Sequence, residues 1–108
     1  MRTAFYISDG TAITAEVFGH ALLSLFPTEF NHKTIPFVET EEQAYAVIEK
    51  ISESFQDAGE RPLVFYTVVN PDIRRVIARS VGINYNFLDQ FVAPLEKIIG
   101  VPSKPEKH

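Results

Sequence analysis

The chain has 108 residues, of which 45% are hydrophobic and 22% charged, the composition of one ordinary globular domain. Its formal net charge of -4, with no Lys/Arg cluster to offset it, argues against nucleic acid or an anionic membrane as a partner. The absence of cysteine excludes disulfides, thiolate catalysis and Cys-ligated zinc. There is no signal-peptide pattern and no run near the roughly 18 apolar residues of a membrane helix, so a cytoplasmic location is expected.

The first half of the chain predicts two strands separated by a helix. Residues 3–7 form a compact apolar run typical of a buried strand. A helix that ends before Pro27 follows, and residues 33–38 form a second strand, in which Pro36 favours an edge position. Helical spacing predicts that the core-facing side of this helix consists of Ile13, Val17, Ala21, Leu22 and Leu25.

A second helix and the most strand-like segment come next. The sequence from Thr40 to Gln43 has the form of a capping box, and the helix it opens is expected to end at Gly59. Residues 63–69, LVFYTVV, predict the central strand of the sheet. The residues predicted to be buried on this second helix are Ala44, Val47, Ile48, Ile51 and Phe55.

The remaining elements are shorter. Asn70 followed by Pro71 predicts a capped helix start, and residues 83–88 and 94–99 predict a fourth strand and a last helix. The third helix is predicted to bury Ile73, Val76, Ile77 and Val81. Strict strand–helix alternation predicts an α/β fold: an open, mostly parallel four-stranded sheet with helices on both faces, a three-layer domain of the Rossmann or flavodoxin-like kind.

The turn after the first strand, in the sequence ISDGTAIT, is the candidate binding site. Sheets of this kind bind ligands at the carboxyl ends of their strands, where the turns after strands one, three and four should meet. A helix start offers unpaired N–H groups and the positive end of the helix dipole, glycine allows close approach, and hydroxyls add donors. An anion or substrate contact is therefore predicted at Ser8, Asp9, Gly10, Thr11, Thr14 and Asn70.

The same residues also suit a purely structural turn. In that alternative Asp9 or Thr11 caps the helix and Gly10 serves a tight turn. Asp9 itself would repel a phosphate unless it caps the helix or holds a metal. Arg74 and Arg75 could contact a phosphate of a partner, but a solvated helix face is the expected place for them.

Other chemistries find little support. His20, His32 and His108 lack metal-ligand spacing, so no metal site is expected. The nucleophile elbow GxSxG is absent. A receiver domain would need an acidic pair after strand one and an aspartate after strand three, where this chain has Asp9 and Asn70. A flavodoxin-like module that binds an anion or small ligand through the hydroxyl-rich turn stays open.

Four long stretches together carry a family resemblance: FYISDGTAITAEVFGHALLSLF, IPFVET, PLVFYTVVNPDIR and FVAPLEKIIGVP. In order and spacing they resemble the phosphoenolpyruvate synthase regulatory proteins, relatives of the pyruvate, phosphate dikinase regulatory proteins, along the whole chain. The resemblance implies a bifunctional enzyme. It would phosphorylate a threonine of phosphoenolpyruvate synthase with ADP as donor, inactivating it, and remove that phosphate with inorganic phosphate, releasing pyrophosphate.

One departure limits what the resemblance implies. Members of that family carry a GxxxxGK[ST]-like P-loop in a C-terminal half, whereas no glycine of this chain is followed by lysine. The resemblance therefore implies an N-terminal domain over residues 1–101, with residues 102–108 starting a linker to a C-terminal P-loop kinase domain. Catalytic residues and ADP binding are expected in that other half, and no cofactor is expected here.

Three functions remain open at this stage. The first is the N-terminal domain of the dual enzyme, inactive alone, with the Ser8–Thr14 turn contacting inorganic phosphate or the phosphothreonine loop of the target. The second is a module that only recognises the synthase, its own kinase domain or a second copy in a homodimer. The third is the independent small-ligand binder.

Overall fold

The computed structural model of the chain describes residues 1–104. Within them, four strands and four α-helices alternate, and every strand pair is parallel, in the order β2-β1-β3-β4. The elements are β1 (Thr3–Ser8), α1 (Ile13–Leu23), β2 (Asn31–Ile35), α2 (Glu41–Ala58), β3 (Leu63–Thr67), α3 (Pro71–Ile77), β4 (Ile83–Asn86), a π-helical turn (Leu88–Val92) and α4 (Ala93–Ile99). The predicted α/β class and parallel sheet are confirmed, with β1 and β3 as the inner strands and β2 at an edge.

Helices α2 and α3 cover one face of the sheet. Because side chains alternate along a strand, Phe5 and Ile7 of β1 and Val64 and Tyr66 of β3 point to this face. They pack with apolar residues of the two helices: Ala44, Val47, Ile51, Ile73, Val76 and Ile77. The capping box at Thr40 forms as predicted and fixes the start of α2.

Helix α1 lies on the other face, and the prediction of its buried side was wrong. The buried residues of α1 are Ala15, Gly19 and Leu23, spaced four apart, which pack over Ala4, Tyr6 and Phe65. The small residues allow the helix backbone to approach the Tyr6 ring closely, so the larger apolar residues turn away from the sheet. All five residues of the predicted core-facing side are exposed: Ile13, Val17, Ala21, Leu22 and Leu25.

An aromatic stack centred on Tyr6 holds this face together. The Tyr6 ring centroid lies 5.9 Å from that of Phe65, 5.1 Å from His20 and 5.8 Å from His32. Burial, with a smaller effect of the Glu16 carboxylate, raises the pKa of Tyr6 to about 12. Tyr6 is therefore protonated at neutral pH, and its hydroxyl forms a hydrogen bond with Nδ1 of His32 at 2.7 Å. Burial, followed by the nearby His20, lowers the pKa of His32, in keeping with a neutral ring.

Several boundaries differ from those predicted. Strand β2 ends before Pro36, and β4 ends at Asn86 because the chain then enters the π-helical turn, which the sequence did not indicate. Val81, predicted on the buried stripe, lies beyond α3 and is exposed. Residues 105–108 of the predicted linker lie outside the described residues, so the domain boundary stays a prediction. No helix within residues 1–104 is long and apolar enough to cross a membrane.

The contact between Gly19 and Tyr6 gives a test of this packing. A Cβ added at Gly19 would lie 2.7 Å from Cδ1 of the Tyr6 ring and closer still to Cε1. We expect Gly19→Ala to lower the free energy of unfolding by about 1–3 kcal/mol, because overpacking outweighs the better helix propensity of alanine. Urea denaturation of the variant and the parent chain measures the difference.

The double variant Gly19→Ala/Tyr6→Leu is the matched control. The smaller side chain makes room for the added methyl group, so the pair should lose less stability than the two single changes added together. Equal or greater stability of Gly19→Ala alone would show that α1 does not approach Tyr6 as described.

Candidate functional site

Three loops meet at the carboxyl edge of the sheet, following β1, β2 and β3. Ser8 at the end of β1 pairs with Thr67 at the end of β3. The backbone N–H of Phe37 donates to the carbonyl of Gly10 at 2.8 Å, and that of Val38 donates to the carbonyl of Ser8 at 3.0 Å. The loop after β2 is thereby fastened to the predicted site loop, residues 8–14.

The first two predicted site residues hold the loops together from within. The Ser8 hydroxyl donates to the carbonyl of Thr67 at 2.9 Å and accepts from the N–H of Gly10 at 2.9 Å. Oδ2 of Asp9 accepts from the N–H groups of Val69 and Asn70, at 3.1 and 2.9 Å. Both side chains are buried, and together they bond the loop after β1 to the loop after β3.

The second oxygen of Asp9 is unusual. Asp9 is 1% exposed, and its Oδ1 has no hydrogen-bond partner among the described residues. A carboxylate oxygen can accept two hydrogen bonds, and buried polar atoms without a partner are rare in proteins. Because the oxygen itself is buried, a hydroxyl or N–H group of a ligand could reach it only if the loop moved.

The start of α1 lacks a side-chain cap. The N-cap residue is Ala12, in the left-handed conformation with φ 67°, and it offers no side-chain acceptor. Asp9, one of the two expected caps, bonds to the loop after β3 instead, and Oγ1 of Thr11 lies 3.4 Å from the N–H of Ile13, a long contact. The positive end of the α1 dipole is thus left for solvent or a ligand, beside the exposed Thr11 and the half-buried Thr14.

Asn70 is occupied by its own helix. Its Oδ1 accepts from the N–H groups of Asp72 and Ile73, at 2.9 and 3.4 Å, so it caps α3 as the sequence predicts. Gly10 is buried within the loop. Of the six predicted residues, Ser8, Asp9 and Asn70 therefore build the framework, and Thr11 and Thr14 remain available to a ligand at the helix start.

A polar hollow of about 270 Å³ adjoins the loop after β3. Arg74 and Arg75 line it together with Tyr66 and Asp89. The Arg75 side chain is 63% exposed and pairs with Asp72 of the same helix at 3.2 Å, in keeping with the solvated helix face expected for it. Burial and then the Asp89 carboxylate raise the pKa of Tyr66, which Arg74 partly opposes. No cluster of three or more His, Asp or Glu residues in the described part of the chain could hold a metal ion.

The double acceptor role of Asp9 predicts a large effect of its removal. Asp9→Ala should lower the free energy of unfolding by about 2–4 kcal/mol, because two N–H groups lose their acceptor in a buried place. Asp9→Asn is the matched control, since the amide oxygen can accept from the same two groups and should retain much of that stability. Thermal and urea unfolding provide the measurement, and a change below about 0.5 kcal/mol in Asp9→Ala would contradict the loop-joining role.

The chain is similar to known proteins along nearly its whole length. It matches the kinase/pyrophosphorylase family over residues 4–108. Relatives from Alteromonas mediterranea, Pseudoalteromonas atlantica and Shewanella halifaxensis are 83%, 78% and 60% identical over the whole chain. Each carries the name of a phosphoenolpyruvate synthase regulatory protein, and the chain spans 40% of the length of each, at the N-terminal end. With a match over nearly all of its length, the chain belongs to the kinase/pyrophosphorylase family.

Proposed function

We propose that the chain serves as the N-terminal domain of a cytoplasmic, bifunctional regulator of phosphoenolpyruvate synthase. In one direction the regulator transfers the β-phosphate of ADP to a threonine of the synthase, leaving AMP and an inactive enzyme. In the other, inorganic phosphate attacks the phosphothreonine, which restores the hydroxyl and forms pyrophosphate. The observation that supports the proposal is the family match, together with the shared name of relatives that are 60–83% identical over the entire chain.

The nucleotide chemistry is assigned to the part of the regulator that this chain does not contain. Phosphoryl transfer depends on backbone donors, a lysine and usually a metal ion around the phosphates. The 108 residues contain no glycine followed by lysine, and so no P-loop. We therefore expect the chain by itself to bind ADP weakly and to transfer no phosphate.

We assign to this domain a contact with the phosphate group that is transferred to or from the threonine of the synthase. The uncapped start of α1, flanked by Thr11 and Thr14, presents N–H groups and hydroxyls to an anion. Arg74 adds positive charge beside the loop after β3, whereas the charge of Arg75 is paired with Asp72.

A chimera tests the function as a whole. Residues 1–108 would replace the matching N-terminal part of the Alteromonas mediterranea relative, to which they are 83% identical. With ADP labelled at the β-phosphate, we expect the chimera to label phosphoenolpyruvate synthase on threonine and inactivate it, and the chain alone to do neither. Inorganic phosphate should reverse the labelling with release of pyrophosphate. A folded chimera that leaves the synthase unlabelled, while the intact relative labels it, would overturn the assignment.

The hydroxyls at the start of α1 are tested in the same chimera. Thr11→Ala/Thr14→Ala should raise the KM for inorganic phosphate in the reverse reaction by roughly thirtyfold, since about 1 kcal/mol is expected for each of the two lost hydrogen bonds. Thr28→Ala, an exposed threonine that lies with Met1 away from the carboxyl edge, is the matched control and should leave the KM unchanged. Unchanged kinetics in the double variant would make the loop a structural turn only. Gly10→Val, which adds bulk inside the loop, should impair both directions.

A further inference from the structure

The face of the sheet that carries α1 is only partly covered. Strands lie about 4.8 Å apart, so four of them present a face nearly 20 Å wide, whereas one helix with its side chains covers about 10 Å. Two helices, α2 and α3, cover the opposite face, whereas α1 is the only helix within residues 1–104 that packs on this one, over β1 and β3. Beside it lies a groove of about 770 Å³, the size of one short helical segment.

The groove is lined by apolar groups. Leu63 and Phe65 of β3 and Tyr85 of β4 line it from the sheet, and Phe87 follows at the end of β4. The Phe65 ring stacks on Tyr85 and on Phe87, with centroids 5.5 and 5.4 Å apart, which gives one continuous aromatic surface. The charged residues that line the groove are Arg2, Glu29 and Glu60.

Both walls of the groove expose large apolar side chains. Leu22 and Phe26, within and just beyond α1, are 42% and 60% exposed, and Phe91 of the π-helical turn is 57% exposed. Beyond that turn, α4 also exposes apolar residues, with Ile98 81% exposed. An apolar surface of this extent is typical of a docking site rather than of a solvated face.

The strand order points to the occupant. The order β2-β1-β3-β4 reproduces the first four strands of the flavodoxin-like order 2-1-3-4-5, in which the chain continues past the fourth strand. The relatives that match the whole of this chain are longer, since it spans 40% of their length. The π-helical turn that follows β4 forms one wall of the groove, and α4 follows that turn in the chain.

We propose that this groove is the seat of an apolar helix contributed by the part of the longer regulator that follows residue 108 in the relatives. The inference rests on the proposed function in one respect: it assumes that this chain is joined to such a part. A second copy of the chain is the other occupant to be tested, since a two-fold axis would bring the same groove of both copies together. A helix laid between α1 and the π-helical turn would complete the second layer of helices.

The absence of cysteine from the chain allows a direct test by thiol labelling. Leu22→Cys places a thiol on the wall of the groove, and Val81→Cys places one outside it; both native side chains are 42% exposed. Each variant would be made in the 108-residue chain and in the chimera described above. Reaction with a maleimide is followed by mass spectrometry of the peptide that carries the introduced cysteine.

In the chain alone we expect both thiols to react at similar rates, whatever the protein concentration. In the chimera Leu22→Cys should react at least about tenfold more slowly, because the docked helix must open before the reagent enters, while Val81→Cys keeps its rate. Equal rates for Leu22→Cys in the two proteins would overturn the proposal. Protection of Leu22→Cys in the chain alone that grows with concentration would overturn it too, in favour of a second copy.

Amide hydrogen exchange, measured on proteins without introduced cysteines, tests the docked helix independently of the variants. The peptides of the intact Alteromonas relative that correspond to residues 13–26 and 83–92 should exchange more slowly than the same segments of this chain. Equal exchange would contradict the docked helix even if the chimera failed to fold. The readouts also separate the two proposals. Protection of the groove without labelling of the synthase would contradict the proposed function alone. Labelling of the synthase without protection of the groove would contradict the docking site alone.

Discussion

The bond between the loop after β1 and the loop after β3 is the constraint from which the candidate site follows. Ser8 and Asp9 lie at the end of an inner strand, buried, and each uses its side chain to bond the backbone across the sheet. Because Asp9 is engaged in this way, it does not cap α1, and the first turn of that helix keeps its N–H groups for another partner. The acidic residue of the candidate site loop is thus part of its scaffold.

Much of this architecture could be predicted from the sequence, because the signals are local. Alternating apolar runs, the capping box at Thr40 and the Asn70-Pro71 helix start each act within a few residues, and all three produced the predicted elements. The parallel sheet followed from the strand–helix alternation. The edge position of β2 was predicted from Pro36 and is correct, although β2 ends before that residue. The grouping of the site loops at one edge followed from the same topology.

What the sequence did not reveal depends on contacts between distant residues. The buried side of α1 is decided by Tyr6, whose ring requires the space that Gly19 leaves, and a search for large apolar residues at helical spacing selects the opposite side. The π-helical turn follows from packing after β4 rather than from a breaker residue. Likewise, the hydrogen bonds from Val69 and Asn70 to Asp9 depend on the strand order, which the pattern of residues does not encode.

Helix α1 connects the two surfaces that the structure exposes. Its first turn lies at the carboxyl edge, beside Thr11 and Thr14, and Leu22, about 12 Å further along the axis, lines the apolar groove. The helix rests on the sheet through Ala15, Gly19 and Leu23, a narrow contact of mostly small residues. A segment docked against Leu22 and Phe26 would therefore supply much of the packing that fixes α1 in place. Since the position of α1 determines where its open first turn points, the groove and the candidate phosphate contact form one mechanical unit.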